Sequence, residues 1–337
     1  MPTVPTACDP LACPSASPAV DAVVIGRNEG ARLVACLASL AGQVRRVVYV
    51  DSGSHDGSVA AARAAGAVVV ALDIGAPFTA ARARNAGLAV LADEGAEFVQ
   101  FVDGDCEVVH GWVATALAFV AAHPGAVVVC GRRRERFPEA SVWNRLADRE
   151  WDTPVGRARA CGGDALMRRA AVEAVGGYRD DLIAGEEPEL CLRLIRAGGE
   201  VWRIDAEMTR HDAGMTRMGQ WWRRSRRAGH AFAEGASLHG AGPERHWVAE
   251  TRRALVWGLG VPGAALVAGI VHPAGLLVLL AWPLQVIRLG WRWRAEERAG
   301  WEAALFTVLG KVAEAQGVLG FHLARLRGLR RGLIEYR

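Results

Sequence analysis

The stretch between residues 22 and 103 alternates short apolar runs with longer segments in which apolar residues recur at helical spacing. Short apolar runs are typical of strands buried on both faces, and their alternation with helices is typical of a parallel sheet covered on both sides. We therefore predict an α/β fold for this part of the chain. The predicted strands occupy residues 22–26, 47–51, 68–71 and 98–103.

Two of these predicted strands end in a carboxylate, at Asp51 and Asp103, and Asp105 follows two residues later. Ligands of parallel sheets bind at the carboxyl ends of the strands. Side chains at positions i and i+2 of an extended segment lie on one face, so Asp103 and Asp105 can reach one cation together. Mg2+ and Mn2+ take oxygen ligands and are often shared with substrate phosphates. The pattern indicates a metal site, and a polar Asp-Gly turn is the structural alternative.

The composition and one loop disfavour several other classes of protein. The loop 52–58 is rich in Gly and Ser, but it fits neither the Gly-X-Gly-X-X-Gly dinucleotide motif nor the Walker motif with its lysine. A net charge of +4 over 337 residues is too weak a basic bias to indicate a nucleic-acid partner. The seven cysteines lack a Cys-X-X-Cys pair, which indicates reduced thiols and neither a disulfide framework nor a zinc site.

Two features between residues 126 and 164 bear on ligand binding. The predicted strand 126–130 is followed by four arginines, which we interpret as a solvated loop, with contact to phosphates as the alternative. Further on, Gly162 and Gly163 precede Asp164, and paired glycines let a backbone approach a ligand closely. The four arginines are Arg132, Arg133, Arg134 and Arg136.

A helix start rich in carboxylates follows at residues 185–190. Pro188 stands just inside the predicted helix, and acidic residues in front of it favour the helix dipole, which is a purely structural reason for Glu186 and Glu187. The chemical interpretation is that one of these carboxylates acts as a general base towards a bound substrate. Both interpretations remain open at this point.

Six motifs follow one another along this part of the chain. They are IGRNE at 25–29, VDSGSHDG at 50–57, RNAG at 84–87, DGD at 103–105, GGD at 162–164 and GEEPEL at 185–190. Together they resemble the family 2 glycosyltransferases with the GT-A fold. The resemblance covers roughly residues 20–215, and it implies a mixed, mostly parallel sheet flanked by helices. It also implies transfer of a sugar from a nucleotide-diphosphate donor, a UDP-sugar by preference, with inversion at the anomeric carbon.

The resemblance assigns roles to individual positions. It implies that nucleoside contacts come from the first two motifs, that the third motif lines the donor site, and that the fifth meets the acceptor and donor sugar. It also implies that Asp103 and Asp105 hold a divalent metal, Mg2+ or Mn2+, as the cofactor. The substrate-binding residues are then Asn28, Glu29, Asp51, Arg84, Asn85, Asp103, Gly162, Gly163 and Asp164.

The catalytic base and two further positions depart from the family pattern. Glu187 falls where the family usually has an aspartate base, and its extra methylene keeps Glu186 and Asp181 open as alternatives. His211 lies where related enzymes sometimes place a further metal or phosphate ligand, and an ordinary loop histidine is an equal alternative. Gln220 and Arg223 match the Gln-X-X-Arg-Trp motif of processive synthases, but Arg224 replaces its Trp. We therefore expect an enzyme that adds one sugar, with Arg223 at the substrate.

The last third of the chain is apolar and rich in tryptophan. Two apolar stretches, 254–271 and 274–287, are separated by His272 and Pro273, and each is marginal for crossing a bilayer, which needs about 20 residues. Arginines flank both outer ends, so by the positive-inside rule both ends stay cytoplasmic. The alternative is a buried helical hairpin or a dimer interface.

We accordingly expect five segments and a location at the cytoplasmic membrane, with the catalytic domain facing the cytoplasm. The expected partners are a nucleotide-sugar donor, a lipid-linked or glycan acceptor and membrane lipid. Alternatives are a sugar-nucleotidyltransferase and a non-catalytic, nucleotide-binding scaffold of a membrane complex. The segments are a disordered leader (1–19), a GT-A catalytic domain (20–220), a basic and aromatic interface segment (221–253), a hydrophobic helical hairpin (254–289) and an amphipathic C-terminal helix (290–337).

Overall fold

The computed structural model describes residues 20–73, 75, 78–92 and 96–329, so the expected leader and residues 330–337 lie outside the described residues. Within these ranges nine strands form one mixed sheet, in the order β3-β2-β1-β4-β8-β6-β9-β5, with β7 paired to β9. The strands are β1 (Val20–Gly26), β2 (Arg46–Asp51), β3 (Val68–Ala71), β4 (Phe98–Asp103), β5 (Cys106–Val108), β6 (Ala126–Glu135), β7 (Gly156–Arg157), β8 (Ala165–Arg168) and β9 (Glu200–His211).

The first four strands run parallel, as the alternating sequence predicts. Strand β1 pairs with β2 on one side and β4 on the other, and β2 pairs with β3, all in parallel register. Strands β6 and β9 form a further parallel pair, whereas β8 runs antiparallel between β4 and β6. The β1–β4 register places Ile25 opposite Asp103, so the loops after β1, β2 and β4 open at one edge of the sheet.

Helices cover the sheet and leave that edge open. They are α1 (Ala31–Leu40), α2 (Ser58–Ala64), α3 (Ala80–Val90), α4 (Trp112–Ala122), α5 (Val142–Trp151), α6 (Arg169–Ala174) and α7 (Glu186–Arg196). Helix α3 lies very close to the strands, because a Cβ on Gly87 would stand only 2.4 Å from Cγ1 of Val23. This contact fixes the distance between the sheet and Arg84, which lies one turn earlier on the same helix.

Two long helices then pack against each other beside this domain. They are α8 (Met218–His239) and α12 (Glu297–Leu326). Glycines allow their backbones to touch: a Cβ on Gly229 would stand 2.0 Å from the carbonyl oxygen of Glu314, and one on Gly317 would stand 2.0 Å from that of Arg226. Half of the most apolar window of α12 is buried inside the protein, so much of this helix serves packing with α8.

Two apolar helices between α8 and α12 are far more exposed. The first runs over Val248–Val271 and comprises α9 (Val248–Leu255), one wider turn and α10 (Val261–Val271); the second runs over Pro273–Arg292 and ends in α11 (Ala281–Arg292). Only 17% and 11% of their apolar windows are buried. The 24 residues of the first helix span roughly 36 Å, longer than the apolar stretch 254–271 alone indicates. Both helices, and α12, are long and apolar enough to cross a membrane.

We expect the substitution Ile270→Asp to weaken membrane association without unfolding the protein. The side chain of Ile270 is 78% exposed, so it contributes little to packing, but a charge in a bilayer costs about 2.5–3.5 kcal/mol. The matched control is Val34→Asp, at a 52% exposed position on α1 in the catalytic domain. Co-sedimentation with liposomes should fall for the first variant only; equal sedimentation of both would mean that the apolar helices do not enter lipid.

Candidate active site

A cavity of about 490 Å³ opens at the carboxyl ends of β1 and β4. Its walls come from the ends of β1, β4 and β9, from the first turns of α3 and α7, and from α8. The lining residues include the predicted positions Asn28, Glu29, Arg84, Asp103, Asp105, Glu186 and His211, together with Arg27, Arg32 and Arg227. The fold thus brings together most of the carboxylates and cations that the sequence indicates.

The loop after β1 is tied to the loop after β2. Asn28 has a positive φ of 56°; its backbone N–H donates to Oγ of Ser54 (2.9 Å), and its side-chain oxygen accepts from the N–H of His55 (2.8 Å). Asp51 serves this loop as well, because its carboxylate accepts from Gly53 N, Ser54 N and the Tyr49 hydroxyl at 2.9–3.0 Å. Asp51 is buried and does not line the cavity, so its observed contacts are structural.

Arg84 links two carboxylates at the centre of the cavity. One guanidinium nitrogen donates to Asp103 (2.8 Å) and the other to Glu186 (2.7 Å), and the side chain is only 3% exposed. Arg133 donates to the second oxygen of Asp103 (3.0 Å). Burial alone would raise the pKa of Asp103, but the guanidinium groups of Arg84 and Arg133 hold it below its ordinary value. Asp103 is therefore an anion whose two oxygens are both occupied by arginines.

The Gly-Gly-Asp loop lies directly behind this cluster. Gly163 has a φ of +97°, and a Cβ there would approach Arg84 and Asp103 to 3.5 Å. Asp164 is fully buried; it accepts from the N–H of Asp103 (3.0 Å) and the hydroxyl of Thr209 (2.8 Å). Arg133 also donates to the carbonyl oxygen of Gly162 (2.7 Å). The loop thus holds Asp103 and Arg133 in place, and Asp164 itself does not line the cavity.

Asp105 and His211 form the second polar centre of the cavity. Oδ2 of Asp105 lies 3.2 Å from Nε2 of His211, and both side chains are less than 10% exposed. The expectation that Asp103 and Asp105 share one strand face is wrong, because β4 ends at Asp103 and Asp105 lies in the turn before β5. The turn instead carries Asp105 to the last residue of β9. His211 is accordingly a buried strand residue and not an exposed loop histidine.

Asp105 and His211 also fit a divalent metal. A carboxylate oxygen and an imidazole nitrogen 3.2 Å apart can both reach one ion, and Sγ of Cys106 lies within 4.8 Å of these atoms. Imidazole is a poorer ligand for hard Mg2+ than carboxylate is, so this pair suits Mn2+ better. Asp103 belongs to a different group, with Cys106 and Asp164, and its oxygens face arginines.

The two glutamates at the start of α7 have different surroundings, and the choice between them as the base stays a prediction. The carboxylate of Glu187 is 4% exposed and accepts from the backbone N–H groups of Cys161 and Gly162 and from the thiol of Cys191. These contacts fix the Gly-Gly-Asp loop to α7, and Glu187 does not line the cavity. Glu186, one residue earlier, does line it. The reason is helical geometry, since adjacent residues of a helix point about 100° apart.

Two other predicted residues lie outside the cavity lining. Asn85 donates to the carbonyl oxygen of Tyr178 (2.7 Å) and the carboxylate of Asp180 (2.6 Å), so it fastens α3 to the loop before α7. Asp181 pairs with Arg179 at 2.8 Å. Neither side chain lines the cavity, and the expected roles of a donor contact for Asn85 and an alternative base for Asp181 stay predictions.

Helix α8 meets the cavity one turn later than expected. Arg223 is exposed and lines a separate cavity with Thr216, Arg217, Gly219 and Gln220. Arg227 lines the main cavity instead. Positions i and i+4 share a helix face. The Gln-X-X-Arg motif therefore identified the face of α8 that meets the main cavity, but the arginine that lines the cavity lies one helical turn later.

Arg133 is the most important residue that the sequence interpretation missed. The expected solvated loop is wrong, because β6 continues through residues 126–135 and carries Arg133 next to Asp103 and Asp164. The signal is present in the sequence: β6 can continue past Cys130 with alternate side chains on opposite faces. Gly131 obscures this signal because glycine is uncommon inside a strand. A glycine is required at this position because a Cβ would stand 2.6 Å from the ring of Trp112.

We expect Arg84→Met to destabilise the protein. Removing one partner of a buried ion pair costs roughly 3–5 kcal/mol, and the lower end applies here because the side chain of Asp103 keeps 29% exposure. A thermal melt should show a clear drop relative to Arg63→Met, a control at an exposed position on α2. An unchanged melting temperature would mean that Asp103 and Glu186 do not depend on Arg84.

Solved structures share this architecture. A mannosyltransferase from Pyrobaculum calidifontis, solved in complex with GDP-Man and Mn2+, is 22% identical with a TM-score of 0.62, covering 91% of this chain and 88% of its own. TarS 1-349 of S. aureus is 16% identical with a TM-score of 0.51, covering 92% of each chain. No curated protein sequence matches the chain significantly.

The mixed, mostly parallel sheet and its flanking helices match the GT-A fold, which confirms the expected fold class. Residues 21–176 match the family model described as Glycosyl transferase family 2. The match includes five of the six motifs, so the resemblance to this family that the motifs indicate is confirmed. The long apolar helices that follow are compatible with membrane association.

Proposed function

We propose that this protein is a metal-dependent, inverting glycosyltransferase that moves one sugar from a nucleotide-diphosphate donor to a lipid-linked or glycan acceptor at the membrane. The observation that carries the proposal is the single cavity in which Asp105, His211, Arg84 and Glu186 meet. A leaving diphosphate needs positive charge, and an acceptor hydroxyl needs a base, and this cavity offers both.

The donor side of the cavity is assigned to arginines and to the Asp105–His211 pair. Arg27, Arg32 and Arg227 line the cavity and suit the phosphates of the donor. Asp105 and His211 would hold Mn2+ or Mg2+, which supplies charge neutralisation of the departing diphosphate when bound. Asn28 and Glu29, at the end of β1, lie where a nucleoside can reach them.

Glu186 is assigned the role of general base. Its carboxylate lines the cavity and is oriented by Arg84 at 2.7 Å, which in turn is fixed by Asp103. A carboxylate held in this way can take the proton of an acceptor hydroxyl while that oxygen attacks the anomeric carbon from the face opposite the leaving group. Attack from that face inverts the configuration of the sugar.

The two exposed apolar helices support the proposed membrane association. They present residues such as Leu266, Ile270 and Val271, which are 64–83% exposed. Arg252 and Arg253 lie near the start of the first apolar helix, and Arg288 and Arg292 lie near the end of the second. By the positive-inside rule, the start of the first helix and the end of the second are both assigned to the cytoplasmic face of the cytoplasmic membrane. The catalytic domain then faces the cytoplasm, where an acceptor carried by a lipid would approach it.

The proposal is tested with detergent-purified full-length protein, Mn2+, GDP-Man or UDP-GlcNAc, and a polyprenyl phosphate as acceptor. Release of nucleoside diphosphate should require the acceptor, and nuclear magnetic resonance should show that the anomeric configuration of the product is inverted. Glu186→Gln serves as the inactive control. A product with retained configuration would contradict the inverting mechanism. Release of nucleoside diphosphate that does not depend on the polyprenyl phosphate would contradict the assigned acceptor class.

A further inference from the structure

A second cavity, of about 930 Å³, lies between α7 and the segment that leads into the first apolar helix. Helix α7 contributes Pro188, Leu192 and Ile195 to one wall, and residues 244–250 form much of the other. None of its lining residues lines the first cavity. The second cavity is therefore a separate site, and helix α7 forms part of the wall of both.

This cavity carries an excess of positive charge. Its two carboxylates are neutralised by arginines, since Glu244 pairs with Arg196 (2.7 Å) and Glu250 pairs with Arg253 (2.9 Å). Three more arginines line the cavity, and their side chains make no hydrogen bond or ion pair with any residue in the described part of the chain. They are Arg159, Arg245 and Arg252. Three guanidinium groups around one cavity suit a phosphate ester.

The loop that presents Arg245 is held by the packing of a half-buried tryptophan, Trp247. Arg245 and Trp247 both have positive φ angles, 47° and 54°, which is uncommon for large side chains. The Trp247 ring lies against two glycines, because a Cβ on Gly185 would stand 2.6 Å from it and one on Gly235 would stand 2.5 Å from it. The ring also stacks on His246 at 4.4 Å. The cavity wall is thus a packed structure that holds an unusual backbone.

The apolar part of the cavity continues into the membrane-facing part of the fold. Trp247, Val248 and Ala249 line the cavity, and Val248 is also the first residue of the candidate span Val248–Val271. A ligand that is anionic at one end and apolar at the other matches both features. We propose that this cavity binds the phosphate headgroup of an anionic membrane phospholipid, whose acyl chains lie along the first apolar helix.

A ligand bound in this second cavity acts on the catalytic site through α7, the helix that carries Glu186. Gly185, the residue before Glu186, is in direct contact with the Trp247 ring, and Pro188 lines the second cavity two residues after Glu186. A bound headgroup therefore holds the wall against which the start of α7 rests. Trp247 is a positioning residue in this arrangement.

The test measures lipid binding and does not depend on transfer activity. Full-length protein in neutral detergent is titrated with phosphatidylglycerol, phosphatidylcholine or inorganic phosphate, and bound lipid is counted by native mass spectrometry. The variant is Arg159→Gln/Arg245→Gln/Arg252→Gln. The matched control, Arg288→Gln/Arg292→Gln/Arg294→Gln, removes three exposed arginines at the end of the second apolar helix.

The wild type and the control should each retain one phosphatidylglycerol in preference to phosphatidylcholine. The cavity variant should lose about 150-fold in affinity, from about 1 kcal/mol per arginine. If the triple variant does not fold, Arg159→Gln/Arg252→Gln should lose roughly 30-fold on the same basis. Equal losses in the cavity variant and the control would overturn the proposal. Inorganic phosphate that binds as tightly as the lipid would also overturn it.

Discussion

The substitution Glu186→Gln is expected to lower kcat by about 10²- to 10⁴-fold, the usual contribution of a positioned general base, while the affinity for the donor changes little. The glutamine keeps an oxygen that can accept the hydrogen bond from Arg84, so the local structure is preserved. It has no carboxylate to take up a proton. Steady-state kinetics with saturating donor and acceptor measure the effect as a fall in kcat.

The neighbouring substitution Glu187→Gln is the matched control. Its carboxylate accepts from two backbone N–H groups, so replacement by an amide should destabilise the protein by about 1.5–3 kcal/mol while a folded sample keeps its turnover. A thermal melt separates this effect from catalysis. The reverse result, with Glu187→Gln folded but inactive and Glu186→Gln active, would assign the base to Glu187.

Asp105→Asn is expected to lower transfer by about 10²- to 10³-fold and to abolish its dependence on Mn2+. The substitution removes the carboxylate charge that fits a cation beside His211, and charge stabilisation by a bound metal contributes several kcal/mol. Electron paramagnetic resonance of Mn2+ measures the loss of binding independently of turnover.

Asp181→Asn provides a control for the loss of one negative charge. Asp181 pairs with Arg179 and does not line the cavity, so this variant should bind Mn2+ and transfer sugar as the wild type does. Full Mn2+ binding by Asp105→Asn would show that the metal lies elsewhere. In that case the group of Asp103, Cys106 and Asp164 would be the next site to examine.

Much of the fold could be predicted from the sequence because the parallel strands are short, buried and separated by helices. The apolar runs that end at Gly26, Asp51 and Asp103 correspond to β1, β2 and β4, and together they form the edge at which the cavity opens. Each run is a local property of the chain. The edge follows from the general rule that parallel strands end on the same side.

The details of the site depend on contacts between distant segments. Glu187 is held away from the cavity by hydrogen bonds to Cys161 and Gly162, about 25 residues away in sequence. Arg133 reaches Asp103 from a strand that continues past a glycine. Nothing in the local pattern distinguishes Glu186 from Glu187. The turn at Asp105 likewise depends on the pairing of β5 with the far end of β9. Tertiary pairing of this kind is not encoded in spacing alone.

The most direct test of a metal-dependent donor site in the main cavity is calorimetric titration of the purified protein with GDP-Man and UDP-GlcNAc, first with Mn2+ and then with EDTA, repeated on Asp105→Asn. We expect one of these donors to bind with a stoichiometry near one in the presence of Mn2+, and we expect binding to weaken sharply with EDTA and in the variant. Absence of binding of either nucleotide sugar or its nucleoside diphosphate under every condition would contradict a donor site in this cavity. It would favour a non-catalytic role at the membrane.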